Sequence, residues 1–225
     1  MPSAQPDPGL IAPPEVASPV PQPGAAEQPA PPSGVEEPAS SSSAGLESGL
    51  IAQWTSGKGS GALSFDGKKS YVAVPNSEGL NPAGAITIAA WIKIADPEQD
   101  TYMRVVSKKK AWDEREGYEL AYNPSQNLVI VLGGGDDLGR AAGVNLDTEW
   151  HHVVAVIDGG KAWLYVDGAE RTSDSTVSEL RPNSRPLYIG SSSGGSSAYF
   201  NGAIADVRIY DRLLSDQEIA LLYHT

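Results

Sequence analysis

The sequence contains no cysteine, and its first 50 residues contain no lysine, no arginine and no aromatic residue. The missing cysteines exclude a disulfide framework, thiol catalysis and Cys-ligated zinc. No apolar run approaches the roughly 20 residues that a bilayer-spanning helix needs, so membrane insertion is not expected. Positive charge is also scarce, with 16 Lys+Arg against 28 Asp+Glu and a net charge of −12. That balance opposes binding to nucleic-acid backbones and to anionic lipid surfaces. The opening Met1-Pro2-Ser3-Ala4-Gln5-Pro6 lacks the basic and apolar regions of a secretory signal. If the domain is exported, the chain is expected to be a fragment or to leave by another route.

The residues that are present divide the chain in two. Residues 1–50 hold 12 of the 18 prolines and six acidic residues. Prolines fix φ and withhold backbone donors, and too few large apolar side chains are available to offset the entropy of ordering. Residues 1–48 are therefore expected to form a disordered, acidic Pro/Ala/Ser-rich linker. A docking peptide for a proline-reading partner is the alternative.

From about Gly49 the pattern becomes short alternating runs bounded by Gly, Asp and Asn. Ala62-Leu63-Ser64-Phe65 and Tyr71-Val72-Ala73-Val74 flank an Asp66-Gly67 turn. In Thr87–Ile94, residues Ile88, Ala90, Ile92 and Ile94 share one face. Further strands are expected at 104–108, 117–123, 127–132, 187–190 and 203–210. His151–Ile157 and Lys161–Val166 meet across Asp158-Gly159-Gly160, a hairpin signal. One helix is expected, at the end, where Ser215 and Glu218 form a capping box before Ile219, Leu221 and Leu222. Many short strands with almost no helix predict an all-β, two-sheet antiparallel sandwich over 49–225.

Candidate chemistry is sparse. His151 and His152 point to opposite faces of a strand and cannot both grip one metal. Glu114 and Glu116 share a face if extended, at a separation that a glycosidase pair could use. Their basic neighbours, Lys108-Lys109-Lys110 and Arg115, equally suit a solvated hairpin. Asp136-Asp137 offers hard oxygen ligands, but no alternating Asp-x-Asp loop surrounds it, and a solvated turn explains it as well.

Aromatic residues near strand ends are the best binding candidates, because sugar rings pack on aromatic faces while their hydroxyls need polar partners. Trp112, with Asp113 and Arg115 beside it, has that mixed character, and Tyr122 and Tyr199 are also candidates. Tyr102 and Phe200 lie in comparable positions. Core packing is the competing explanation for each. Trp91 and Trp163, in mid-strand, are expected in the core.

Several segments together resemble a known family. They are Ala62–Gly67 with Tyr71–Pro75, Thr87–Lys93, Trp150–Val156 with Leu164–Gly168, Leu187–Gly190, Phe200–Tyr210 and Leu214–Ile219. In this order they resemble a laminin-G-like jelly roll of the concanavalin A-like lectin/glucanase superfamily. The resemblance implies an extracellular or cell-surface module that binds a glycan or glycoprotein, often with calcium, tethered to other domains. Fold alone does not fix function. A structural or adhesion sandwich contacting proteins without a sugar site is the alternative, and a glycoside hydrolase or polysaccharide lyase the third.

The resemblance also bears on chemistry. The glucanase branch carries a Glu-apolar-Asp-apolar-Glu strand, which this sequence lacks, so a non-enzymatic module is expected. The pentraxin-like calcium loop has acidic residues, whereas Ser191–Ser197 has none. A structural calcium of the glucanase type would fall on Asp206, ahead of Val207-Arg208-Ile209-Tyr210, with Asp66 as its partner. A turn-capping Asp66 and an Asp206 paired with arginine are the competing assignments.

Overall fold

Alternation of apolar residues builds two sheets that close over one core. The computed structural model describes residues 43–55, 57–58, 61–97, 102–109, 114–126, 128–133, 138–142, 144–177, 179–192 and 198–225. A short helix α1 (Ser43–Glu47) precedes strands β1 (Leu50–Trp54), β2 (Leu63–Asp66), β3 (Val72–Val74) and β4 (Ile86–Ile94). Strands β5 (Met103–Ser107), β6 (Glu119–Asn123), β7 (Leu128–Leu132) and β8 (Leu138–Ala142) follow. The chain ends with β9 (His151–Asp158), β10 (Lys161–Val166), β11 (Ala169–Thr176), β12 (Leu187–Ile189), β13 (Asn201–Tyr210) and α2 (Asp216–His224).

All pairings are antiparallel among the described residues. One sheet has seven strands in the order β1-β13-β4-β9-β10-β11, with β2 also paired to β13. The other has six, in the order β3-β12-β5-β6-β7-β8. The main core lies between them. Ile88, Ala90, Ile92 and Ile94 of β4 meet Met103, Leu120, Tyr122 and Val131 of the facing sheet. This is the sandwich that the strand pattern predicts.

A second apolar cluster lies outside the seven-stranded sheet. Ala89, Val154, Val156, Tyr165 and Tyr210 pack under Leu214, Ile219 and Leu222 of the C-terminal segment and under Leu46 of α1. Leu46, on the tail side of the expected boundary at 48/49, is therefore part of this packing. Helix α2 starts with the expected capping box. Ser215 Oγ accepts the Glu218 N–H at 3.3 Å, and Glu218 Oε2 accepts the Ser215 N–H at 2.8 Å. Glu218 also pairs with Arg212 at 2.6 Å. These partners hold its carboxyl down at about 2.

The two mid-strand tryptophans lie on the outer face of the seven-stranded sheet, and the expected burial holds for Trp91 alone. Trp91 is buried there because Tyr223 of α2 stacks on it with ring centroids 5.5 Å apart. Trp163 is only half-buried. The helix covers one part of this face and leaves the other open.

Candidate functional site

The outer face of the six-stranded sheet carries charged and polar side chains inside otherwise apolar strands. Across this face Ala73, Tyr188, Ser107 and Glu119 stand in one row of the ladder. Arg104 pairs with Ala121, two residues beyond Glu119 on the same side of β6. Simple alternation would turn Arg104 and Ser107, three residues apart, to opposite faces. The register slips between Arg104 and Val106, and both Val105 and Val106 enter the core. The extra residue re-aims Arg104 onto the face that Ser107 occupies.

That bulge assembles a network. Arg104 Nε donates to Glu119 Oε2 at 2.5 Å, and Ser107 Oγ donates to the same oxygen at 2.9 Å. The Tyr102 hydroxyl donates to Glu119 Oε1 at 3.3 Å. The Arg104 guanidinium lies 5.3 Å from the centroid of the Tyr102 ring, within cation–π range. The Arg104 and Glu119 side chains are only 7% and 0% exposed. A charged pair so deeply placed holds only with all its hydrogen bonds made, which fixes the geometry of the cluster.

Aromatic rings border the network. Tyr71 and Tyr188, both half-buried, lie 5.6 Å apart and tilted by 51°. At the other side the Ala198 carbonyl accepts the Arg104 N–H at 3.1 Å. This bond ties the segment carrying half-buried Tyr199 to β5.

The end of β5 adds two buried lysines. Lys109 Nζ donates to the Glu114 carbonyl and, at 2.9 Å, to the Gly133 carbonyl. Lys108 Nζ is held by Asn76 Oδ1 at 2.8 Å and by the carbonyl and Oδ1 oxygens of Asn183, each at 2.9 Å. Burial pushes this ammonium down to about 8. Gly117 completes the corner at φ +82°, where a Cβ would run into the Lys108 carbonyl oxygen.

The structure describes three of the five residues expected to bind ligand. Trp112 and Asp113 lie outside the described residues, as does Asp136-Asp137. Arg115 is exposed on the turn between β5 and β6. Tyr199 is half-buried and follows Ala198, whose carbonyl accepts the Arg104 N–H. Tyr122 is corrected to a core residue: it is 1% exposed. Its hydroxyl donates to the Val144 carbonyl and accepts the Leu146 N–H, both at 3.3 Å. Phe200 is likewise buried. Glu114 faces Arg185 at 2.6 Å, while Glu116 is exposed.

Asp66 and Asp206 adopt the competing assignments. Asp66 Oδ1 accepts three backbone N–H groups, from Lys68, Lys69 and Ser70. Those bonds hold its carboxyl well below the usual carboxylate range. Asp206 pairs with Arg208 at 2.9 Å. Asp66 is in register with Asn201, five residues before Asp206. At about 3.3 Å per residue the two are ~16 Å apart along the strand. Among the described residues no three His, Asp or Glu side chains converge as a metal site would require.

Arg104, Ser107, Glu119, Tyr71 and Tyr188 were absent from the sequence-based candidates. The available signal was charge at strand positions, Arg104 within Met103–Ser107 and Glu119 at the head of β6.

With the two sheets and their networked face established, residues 66–220 match the profile of a laminin-G-like family within the concanavalin A-like lectin/glucanases superfamily. The chain belongs to this superfamily. Among the curated proteins none matches it. Several solved structures share the fold. The carbohydrate-binding module of Ruminococcus gnavus IT-sialidase aligns at 15% identity and a TM-score of 0.59, covering 78% of this chain and 100% of that one. The same module has been seen bound to α2,3-sialyllactose.

Domain 4 of an extracellular arabinanase from Geobacillus stearothermophilus, solved with arabinotriose, aligns at 18% identity and a TM-score of 0.55. That alignment covers 75% of this chain and 79% of the domain. The binding domain of botulinum neurotoxin serotype D aligns at 14% identity and a TM-score of 0.58, over 78% of this chain and 50% of that one. At these identities the likeness establishes the fold alone. Among the described residues no helix is long and apolar enough to cross a membrane.

Proposed function

We propose that this superfamily member is a non-catalytic glycan-binding module. Its sugar site would be the outer face of the six-stranded sheet around Arg104, Glu119 and the Tyr71/Tyr188 pair. What carries the proposal is a buried, hydrogen-bonded charged network set beside half-buried tyrosines. Tyrosine faces receive the apolar side of a sugar ring and tyrosine hydroxyls meet its polar groups, while the buried network beneath holds that surface in place. The sialidase module and the arabinanase domain, whose structures contain oligosaccharides, support the same ligand class.

Catalysis of glycoside hydrolysis needs two carboxyl groups facing each other across the bond. Among the described residues this face offers one, Glu119, which Arg104 and Ser107 engage. The module would act outside the cell or at its surface, with the acidic residues 1–48 as the tether to other domains. Glycan arrays followed by calorimetric titration test the proposal, with calcium in the buffer. Binding that falls at least tenfold in Tyr188→Ala is expected. Failure to bind any polysaccharide would overturn it.

A further inference from the structure

The opposite side of the sandwich holds a second concave region that the proposed sugar site does not use. Where α2 leaves the outer face of the seven-stranded sheet open, a groove of about 400 Å³ lies beside Trp163, Leu213, Val156, Tyr165, Glu170 and Asp216. The sequence builds it locally. Trp163 and Tyr165 are two residues apart on β10 and share its outer face, with Trp163 in register with Val156 and Tyr165 with Glu170. Leu213 is 43% exposed, and it is the one large apolar side chain exposed among the described residues.

The polar groups are fixed as well. The Tyr165 hydroxyl donates to Asp216 Oδ1 at 2.8 Å, which holds that carboxylate at the rim. Glu170 stands opposite Tyr165 on β11. Among the described residues no Lys, Arg or His lines the groove.

The geometry points to this groove as a second carbohydrate subsite, selective for neutral sugars. The half-buried indole of Trp163 and the Leu213 side chain receive the apolar face of a ring. Glu170 and Asp216 accept hydroxyl protons, since carboxylates only accept. The volume lies at the small end of ligand pockets and holds about one or two rings.

Charge excludes the other nearby occupants. Anionic sugars are repelled by the two carboxylates, and so are the chain's own acidic residues 1–48. A second copy brings the same net charge of −12. A basic peptide would be attracted. However, β10 is paired on both sides, and a peptide could add a strand only at the edge strand β11, on the side facing away from Trp163. The ligand class is that of the proposed function, but the site is independent of it.

NMR titration of the full chain tests the inference, using neutral hexaoses (cello-, malto-, manno- and arabinohexaose) and a Lys/Arg-rich hexapeptide as separate probes. At least one hexaose should shift the Trp163 indole N–H and the Leu213 methyls saturably. Trp163→Ala and the exposed-site variant Glu170→Ala should each weaken that response at least tenfold. The response should persist in Tyr188→Ala, so a silent six-stranded face would refute the first site alone. Absence of any hexaose response at Trp163 and Leu213, a response to the peptide alone, or an unchanged response in both groove variants would overturn the inference.

Discussion

Arg104 and Ser107 lie three residues apart on one strand and meet the same carboxylate, Glu119 Oε2, because the ladder skips a residue between them. One bulge thus converts an apolar strand into half of a polar site. Removing the carboxylate leaves a nearly buried guanidinium without its partner, which costs about 3–5 kcal/mol. Glu119→Ala should therefore lower the calorimetric midpoint by roughly 6–20 °C for a domain of this size. Tyr188→Ala, on a half-buried rim residue, should move it far less.

The same bulge explains why the site was hard to read. The fold was legible because β4, β9, β10 and β13 carry strong alternation, and the Ser215–Glu218 box marks α2. Alternation placed Arg104 and Ser107 on opposite faces, and nothing in Arg-Val-Val-Ser signals an extra residue. Tyr122 sits at a strand end, yet it shares the parity of Leu120, which points it inward. Strand β11, Ala-Glu-Arg-Thr-Ser-Asp-Ser-Thr, has no apolar alternation, because it is the polar edge of its sheet. Trp163 was expected inside because mid-strand tryptophan is usually buried, but α2 covers only part of the outer face.

His152 makes the fold sensitive to mild acid. It is 2% exposed between Trp91 and Tyr223, and its Nδ1 has no hydrogen-bond partner. Burial lowers it to about 4, against the opposing pull of Asp206 and Asp167, with Lys58 and Arg208 adding to the lowering. The unfolded chain therefore binds more protons between about 6.5 and 4, and stability falls as pH drops through that window. Glu218 extends the loss from about 4.5 toward 2. Urea unfolding at pH 7 and pH 4.5 should show the decline, and His152→Phe should flatten its upper part.

Lys108 acts in the opposite direction. Its ammonium sits among three oxygens of Asn76 and Asn183 and, among the described residues, contacts no carboxylate. Folding lowers its pKa from 10.5 to about 8, so the unfolded state binds more protons above pH 8. Its contribution should make stability rise with pH between about 8 and 9.5. Urea midpoints compared at those two values should show that rise in the native chain and its loss in Lys108→Met.

Calcium should not set the stability of this domain. Asp66 is occupied by three N–H donors and Asp206 by Arg208. A chelator should leave the thermal midpoint unchanged, because a ligand bound only to the folded state would raise it. A fall on adding chelator would require an ion site elsewhere.

The central claim is that the outer face of the six-stranded sheet binds sugar. Its most direct test maps chemical-shift changes on the labelled full chain during titration with the tightest ligand from a glycan array. Saturable shifts centred on Tyr71, Tyr102, Arg104 and Tyr188 are predicted. Shifts confined to other surfaces, with these four residues unchanged at saturation, would contradict it.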